Sequence, residues 1–438
     1  AEMIDRLSIL CHYLAARRNF TRWQSREALE AWQDAQVTDH LRRVLPKSRY
    51  YRDLFAGRDL KDWRHLPISK KAPLMAAFDD WNTAGITLVQ AGEVAEAAER
   101  TRDFAPTIRG FAVGMSSGTT GSRGVFLVSP QERRRWAGTL LARTLQGTLR
   151  KTHRAALFLR ADSPLYQTVG SRRLSFSFFD LFAPFEDHWP RLRSLRPTLL
   201  AAPPSALARL ALEPGANELL APPGILLSVA DVLDDADRAV IEEGFGRKVG
   251  QLYQATEGFL AATCPSGTLH WNEDALVIQK EWIDPERTRY HPVITDFRRT
   301  TQPILRFRLD DVIIEAEQSD CPCGSIFGTL GKIEGRQDDV FFLPPINGKK
   351  PVMVFPDFVR RALILALPTG FDYTVTQTGL DAWCIELADP TFSPIVTVEI
   401  ERLCHELQVD MPSLTFTLWT APHPGNKRRR IKRSIPTP

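Results

Sequence analysis

Between two apolar runs, the stretch GMSSGTTGSRG from Gly114 to Gly124 holds four glycines and five Ser or Thr residues in eleven positions. Glycine lets a backbone approach an anion closely with its N–H groups turned inward. The hydroxyls of Ser116, Ser117, Thr119 and Thr120, spaced by Gly118 and Gly121, can donate to phosphate oxygens, and Arg123 adds a positive charge. The same composition also suits a mobile surface linker, and the spacing fits neither GxxxxGK[ST] nor GxGxxG. Further on, YQATEG (Tyr253 to Gly258) sets Thr256 beside Glu257 after an apolar run, a pairing whose ordinary use is a turn or a cap. In RFRLDDVI, Arg306 and Arg308 alternate with apolar residues ahead of Asp310 and Asp311, which suits one strand face whose arginines pair with carboxylates. Cys264 and His270 in CPSGTLH, with Cys321 and Cys323 in CPCG, supply three thiolates and an imidazole, a full tetrahedral set for structural zinc. The one-residue gap between Cys321 and Cys323 is tighter than zinc motifs usually show, and reduced core thiols beside a hydrogen-bonded His are the alternative. Finally, NKRRRIKR packs six basic residues into seven positions from Lys427 to Arg433, the composition of a solvated or polyanion-attracting segment.

These groups need elements to hold them. From about Leu7 to Asp79 the pattern is helical and Trp-rich, with apolar residues recurring at intervals of three and four in SREALEAWQDAQVTDHLRRVL. From Ile108 to about Gly335, FAVGM, AALFLRA, PTLLAAP, GILLSVA and KVGQLYQ read as strands separated by helix-length stretches, which predicts βαβ units and a partly parallel sheet. The Gly-Ser-Thr run is pinned between a strand and a helix whose start is marked by Ser129, Pro130 and Glu132. ALVIQKEWI, HPVITDF and ILRFRLDDVIIEA follow with short turns, as in an antiparallel addition. After KIEGRQDDV the texture changes at Pro344, Pro345, Asn347 and Gly348. The remainder reads as a compact α+β unit: PDFVRRALILAL a helix, DYTVTQTGLDAWCIELA a hairpin, SPIVTVEIERLCHELQV a strand end or helix, and SLTFTLWTA a strand.

A chain of 438 residues, 43% apolar and 25% charged, is long for one core and has the composition of a globular protein with one large and one small domain. The formal charge of +4 is small and gathered largely in the basic segment, where no aromatic interleaving accompanies it, so no nucleic-acid partner is expected. No run approaches the roughly 20 apolar residues of a membrane span. LSILCHYLAARRNF, interrupted by His12 and followed by arginines, does not read as a secretory signal, so a cytoplasmic location without membrane attachment is expected. Six cysteines in such a chain argue against a disulfide framework and leave Cys11, Cys384 and Cys404 as core residues. No Ser-His-Asp or Cys-His hydrolase arrangement is legible.

The order of these motifs resembles that of the adenylate-forming (acyl- and aryl-CoA synthetase-like) superfamily. SSGTTGSRG is similar to its phosphate loop SSGTTGxPKG, with Ser122 and Arg123 where Pro and Lys are usual. The resemblance implies that Ser116, Ser117, Gly118, Thr119, Thr120, Gly121 and Arg123 bind ATP phosphates. It implies further that Tyr253 flanks the nucleotide, Thr256 touches the α-phosphate, and Glu257 holds Mg²⁺, which prefers oxygen ligands. Asp311 would accept from the ribose hydroxyls, with Leu309 and Asp310 replacing the family's Thr-Gly; Arg336 in GRQDDV would reach the ribose, and Asp338 would be the hinge pivot. Lys427, in PGNKRRRIKR, is the positional match for the catalytic lysine, with Lys432 as its rival. The fold implied is α/β, with a large domain of mixed sheets and helices over 1–336 and a small mobile α+β domain over 337–438. The Cys/His cluster resembles one that recurs in the phenylacetate-CoA ligase-like branch. Nearly the whole chain looks like a subgroup containing the bacterial indoleacetate-lysine ligase and the archaeal adenylyltransferase acting on a deazaflavin coenzyme. The activity implied is ATP-dependent formation of acyl-AMP from a small carboxylic acid, then transfer to a small-molecule acceptor: an amine such as an amino acid, coenzyme A, or, with AMP itself transferred, a hydroxyl. A catalytically degenerate nucleotide-binding protein is the reading from another class, because the loop and ribose motifs are both altered. Phe176, Phe178, Phe179, Tyr166 and Trp189 are candidates for either an acyl pocket or core.

Overall fold

The computed structural model describes residues 2–101, 103, 105–115, 124–145, 151–159, 173–181, 183, 185–317, 320–368, 371–421 and 429–436, without the side chains of 2–4, 185 and 338. Its helical N-terminal layer begins with Glu2–Thr21 and Arg26–Val44. The first of these buries Ile9, Tyr13 and Ala16 against Ala137, Leu141 and Ala142 of the helix Pro130–Thr144. The two helices approach so closely that a Cβ at Gly138 would lie 2.6 Å from the Cβ of His12. Cys11 falls on the opposite side with the exposed Leu7, Leu10 and Leu14, which corrects its expected place in the core; Cys384 is half-buried and Cys404 is buried. The helical period decides this, since positions 9, 13 and 16 share a face that 11 does not.

Three strands, β1 (Thr107–Ile108), β2 (Phe111–Met115) and β3 (Val125–Val128), form an antiparallel sheet in which Met115 faces Val125. A Cβ at Gly114 would sit 2.2 Å from the ring of Phe126 on the facing strand, so a side chain here would displace that ring. The chain then builds β4 (His153–Leu159), β5 (Leu174–Asp180), β6 (Leu199–Ala202), β7 (Ile225–Ser228), β8 (Gly250–Ala255), β9 (Gly258–Thr263) and β10 (Leu269–Trp271). They make one seven-stranded sheet in the order β10-β9-β8-β7-β6-β4-β5. Strands β5, β4, β6, β7 and β8 run parallel, while β9 and β10 join antiparallel. The parallel part needs crossovers, supplied by helices Phe185–Leu195, Pro204–Ala211 and Asp235–Phe245. Phe158 and Phe179 stack within this core at 4.7 Å, which makes Phe179 a packing residue; Phe176 lines the cavity described below, and Tyr166 lies outside the described residues.

The antiparallel addition is a five-stranded sheet of β11 (Leu276–Trp282), β12 (Arg289–Asp296), β13 (Ile304–Arg308), β14 (Asp311–Glu315) and β15 (Leu330–Arg336). From Phe341 onward the chain has a core of its own, centred on Phe341, Val375, Trp383 and Ile385. There the short pair β16 (Phe341–Leu343) and β17 (Val352–Val354) precedes a sheet of β18 (Tyr373–Gly379), β19 (Ala382–Leu387), β20 (Ser413–Leu418) and β21 (Ile431–Arg433), in the order β20-β19-β18-β21. The segment read as strand end or helix is the helix Ser393–Leu407, which buries Val396, Ile400, Leu403 and Cys404. No described helix is long and apolar enough to cross a membrane.

Candidate active site

Strand β8 ends in a tight turn. Ala255 pairs with Gly258 of β9, which leaves Thr256 and Glu257 at the tip, where Thr256 Oγ1 donates to Glu257 Oε2 at 2.8 Å. A Cβ at Gly258 would lie 3.2 Å from Asp296 Oδ2, so a side chain there would crowd that carboxylate. The turn is held from behind by Arg299, whose Nη1 donates to the Thr256 carbonyl and whose Nη2 donates to Gln302 Oε1 at 3.1 Å. Gln302 is fully buried and bonds the backbone of β3, accepting from Leu127 N at 2.8 Å. Arg299 and Gln302 therefore tie the Thr-Glu turn to the strand that follows the Gly-Ser-Thr run. The polar cluster DFRRTTQP between two apolar strands is their sequence signal. Asp296, buried and pushed up to about 6 chiefly by that burial, accepts from the N–H groups of Arg298 and Arg299 and shapes the same loop. Glu132 anchors the loop's other end, accepting from Thr300 N at 2.7 Å and Thr301 N at 2.8 Å. Against the pull of burial, these bonds and those from Ser129 and the Thr301 hydroxyl hold its carboxyl below the ordinary value.

Three further residues meet where β8 faces β14 and β15. Tyr253, in β8, donates its hydroxyl to Asp311 Oδ2 at 2.5 Å, and Arg336 Nε stands 3.8 Å from Asp311 Oδ1. Burial and the neighbouring Asp311 push the Tyr253 hydroxyl far above its ordinary value, so it stays a donor. Tyr253, Thr256, Glu257, Asp311 and Arg336 all line one cavity of about 1180 Å³, together with Asp339, Arg429 and Arg430 from the other side. In GRQDDV the described carboxylate is Asp339, which accepts from Arg336 N at 2.8 Å and pairs with Arg429. The side chain of Asp338 lies outside the described residues, as do Ser116 to Arg123 and Lys427. Lys432 sits in β21 opposite Thr376. The basic segment is not simply solvated, because Arg430 is buried and ion-paired with Asp234 and Asp237.

Away from the cavity, Cys264, His270, Cys321 and Cys323 gather with all ligand atoms within 4.8 Å of one another. Cys264 Sγ is 3.6 Å from Cys321 Sγ, and Cys323 Sγ is 3.4 Å from His270 Nε2. A tetrahedral zinc with bonds of about 2.3 Å to sulfur and 2.0 Å to nitrogen gives ligand-to-ligand edges of about 3.5–3.8 Å, which these spacings match. His270 Nδ1 contacts the Phe327 carbonyl at 2.8 Å, which turns Nε2 toward the sulfurs in the way metal-bound histidines are held. The donor set thus fits a metal.

No family model and no curated protein matches the sequence. Solved structures do match in shape. A 2-hydroxyisobutyryl-CoA ligase in its postadenylation state, in complex with 2-HIB-AMP, aligns at a TM-score of 0.69 with 18% identity, covering 95% of this chain and 91% of that one. The fold is that of the adenylate-forming ligases. The same ligase with 2-HIB-AMP and CoA in the thioesterification state aligns at 0.55 and 18% identity, over 95% of this chain and 92% of that one. The amide bond synthetase McbA from Marinactinospora thermotolerans aligns at 0.51 and 14% identity, over 73% and 68%.

Proposed function

We propose that this chain is an ATP-dependent ligase that activates a small carboxylic acid as its acyl-adenylate and passes the acyl group to an amine such as an amino acid, as in the indoleacetate-lysine ligase subgroup. The observation that carries this reading is the convergence of Tyr253, Asp311 and Arg336 with the Thr256–Glu257 turn on one cavity, in a chain with this fold. Asp311, oriented by the Tyr253 hydroxyl, accepts from the ribose hydroxyls, and Arg336 lies beside it. Thr256, braced through its carbonyl by Arg299, contacts the α-phosphate. Glu257 holds Mg²⁺, which when bound with ATP neutralises phosphate charge. Ser116, Ser117, Gly118, Thr119, Thr120, Gly121 and Arg123 hold the β- and γ-phosphates. A substrate carboxylate oxygen attacks the α-phosphorus, the bond to the bridging oxygen of pyrophosphate breaks, and acyl-AMP forms. Lys427 stabilises the charge that develops in that step. The amine nitrogen then attacks the acyl carbon, the bond to the AMP oxygen breaks, and a proton is lost.

The small domain, 337–438, turns about Asp338 between the two steps. The higher similarity to the postadenylation state than to the thioesterification state of one ligase supports the present arrangement as the one held until the turn to acyl transfer. A second reading takes coenzyme A as the acceptor, giving a thioester; the higher similarity to a CoA ligase than to an amide synthetase favours it. The Cys/His cluster holds structural zinc that ties residues 321–324 to the β9–β10 hairpin. The test is acid-dependent exchange of labelled pyrophosphate into ATP over a panel of aromatic and aliphatic acids, followed by mass analysis of products with amino acids or coenzyme A added. Absence of exchange with every acid would overturn the reading and leave a nucleotide-binding protein.

A further inference from the structure

Arg430 is a charged residue placed where charge is costly. It is only 8% exposed, yet it lies on the wall of the cavity between the C-terminal unit and the rest of the chain. Its own backbone belongs to the C-terminal sheet, for the Arg430 carbonyl accepts from Val375 N at 2.7 Å, and its guanidinium stacks 5.4 Å from the Tyr373 ring. The groups that neutralise it come from the other side. Nη1 and Nη2 bond Asp237 Oδ2 and Oδ1 at 3.0 and 2.9 Å, a bidentate pair, and Nη1 also bonds Asp234. Both carboxylates are themselves buried, at 4% and 6% exposure, and both sit at the start of the helix Asp235–Phe245 that follows β7. Asp234 caps that helix, accepting from Asp237 N at 2.8 Å, so its direction is set before Arg430 arrives. Arg360 Nε approaches Asp234 at 3.9 Å from the same C-terminal unit. One residue earlier, Arg429 pairs with Asp339 at the hinge. Two consecutive residues are thereby clamped in opposite directions, one to the hinge and one to the large-domain helix.

We propose that Arg430 is a positioning residue for adenylation: its buried pairs with Asp234 and Asp237 latch the C-terminal unit over the cavity, and they must break before that unit can turn. The inference rests on the adenylation reading above. A buried ion pair contributes little net stability when intact but leaves an uncompensated charge when one partner is removed. Its value therefore lies in discriminating this arrangement from others, because a bidentate pair with fixed geometry is satisfied in one pose only. Arg430→Lys keeps the charge and loses the fork, so it should rescue in part.

The experiment compares wild type, Arg430→Gln, Arg430→Lys and Asp237→Asn in pyrophosphate exchange with the panel acid that serves wild type best, alongside hydrogen exchange of each purified protein. Arg430→Gln and Asp237→Asn should lower kcat by about 100-fold while KM for ATP stays within about 3-fold, with Arg430→Lys between them and wild type. Peptides spanning 429–433 and 234–240 should exchange faster in Arg430→Gln while 199–202 in the parallel sheet does not change. Unaltered kcat, or unaltered exchange at 429–433, would overturn the latch; loss of protection at 199–202 as well would mean a general structural role and would overturn it too. If no acid supports exchange in the wild type, the adenylation reading fails by itself, and the hydrogen-exchange comparison still decides whether Arg430 joins the two units.

Discussion

A second buried charge cluster bridges the same two parts of the chain, and its protonation makes a quantitative prediction. Glu334, with no exposed surface at the end of β15, accepts from Arg289 Nε at 2.9 Å. Arg289 Nη2 reaches Asp357 Oδ2 at 3.0 Å, at the start of the helix Pro356–Ala366. Two carboxyl groups thus share one guanidinium, and a single proton between them completes the charge balance. Burial and then the Asp357 carboxyl push Glu334 up to about 8, while the hydrogen bond from Glu334 and the Arg289 charge hold Asp357 below its ordinary value against the pull of burial. The proton therefore resides on Glu334. Since its folded value lies above the ordinary 4.5, the stabilisation is fully present below that value and is lost as pH rises through about 8. At about 1.4 kcal/mol per pH unit the gap sets a ceiling of about 5 kcal/mol, and sharing the proton with Asp357 reduces the expected effect to about 2 kcal/mol. Glu334→Gln keeps a donor toward Asp357 and carries no charge at any pH. Its stability relative to wild type, from urea unfolding followed by tryptophan fluorescence, should accordingly rise by about 2 kcal/mol between pH 5 and pH 9. A difference that does not vary with pH, or that moves in wild type's favour as pH rises, would refute the assignment of the proton.

Removing the carboxylate in Glu257→Gln should cut pyrophosphate exchange by about 100-fold, measured at saturating Mg²⁺, with an unchanged circular dichroism spectrum. Lys427→Ala should lower exchange by about 100-fold while Lys432→Ala, within β21, stays within about 3-fold; a reversal of that order would move the catalytic role to Lys432. Purified protein should carry about one zinc per chain by elemental analysis, and Cys321→Ser or Cys323→Ser should lose it and unfold at lower temperature; metal-free wild type would leave the cluster as three reduced thiols beside a hydrogen-bonded His.

How much of this is legible in the sequence depends on the range of the interaction concerned. Local signals read well: the cap at Ser129 to Glu132 forms as its residue types require, and the alternation of apolar runs with helix-length stretches gives the parallel strands β4 to β8. The Cys/His cluster also shows in local pairs, although its halves meet through long-range contacts such as the bridge from His270 to Thr329 and the contact of His270 with the Phe327 carbonyl. What cannot be read is whatever depends on partners far along the chain. Arg299 and Gln302 look like an ordinary polar loop until β3 and the Thr-Glu turn are placed on either side of them. Arg430 looks like one arginine in a basic run until the helix at Asp235 meets it. Cys11 reads as a core residue because helix Glu2–Thr21 has apolar residues on both faces, and its amphipathic pattern is too weak to say which face is buried.

The segment RFRLDDVI shows how the fold resolves a register that its residues leave open. Asp310 and Asp311 are adjacent, with Asp310 in the bend between two strands and Asp311 the first residue of β14. Asp310 is exposed at the cavity's edge and pairs with Arg308 at 3.0 Å, while Asp311 accepts from the Tyr253 hydroxyl. Leu309, at the position that the resemblance compares with Thr, is 4% exposed and belongs to the core cluster that includes Phe307 and Ile294. Leu309 also borders the cavity, yet an apolar side chain there removes no group from the Tyr253–Asp311–Arg336 set. Asp310 adds an exposed carboxylate that pairs with Arg308, which also engages Glu281, while Arg336 stands beside Asp311. The two departures that argue for a degenerate site thus lie beside the carboxylate that would face a ribose, and neither displaces it.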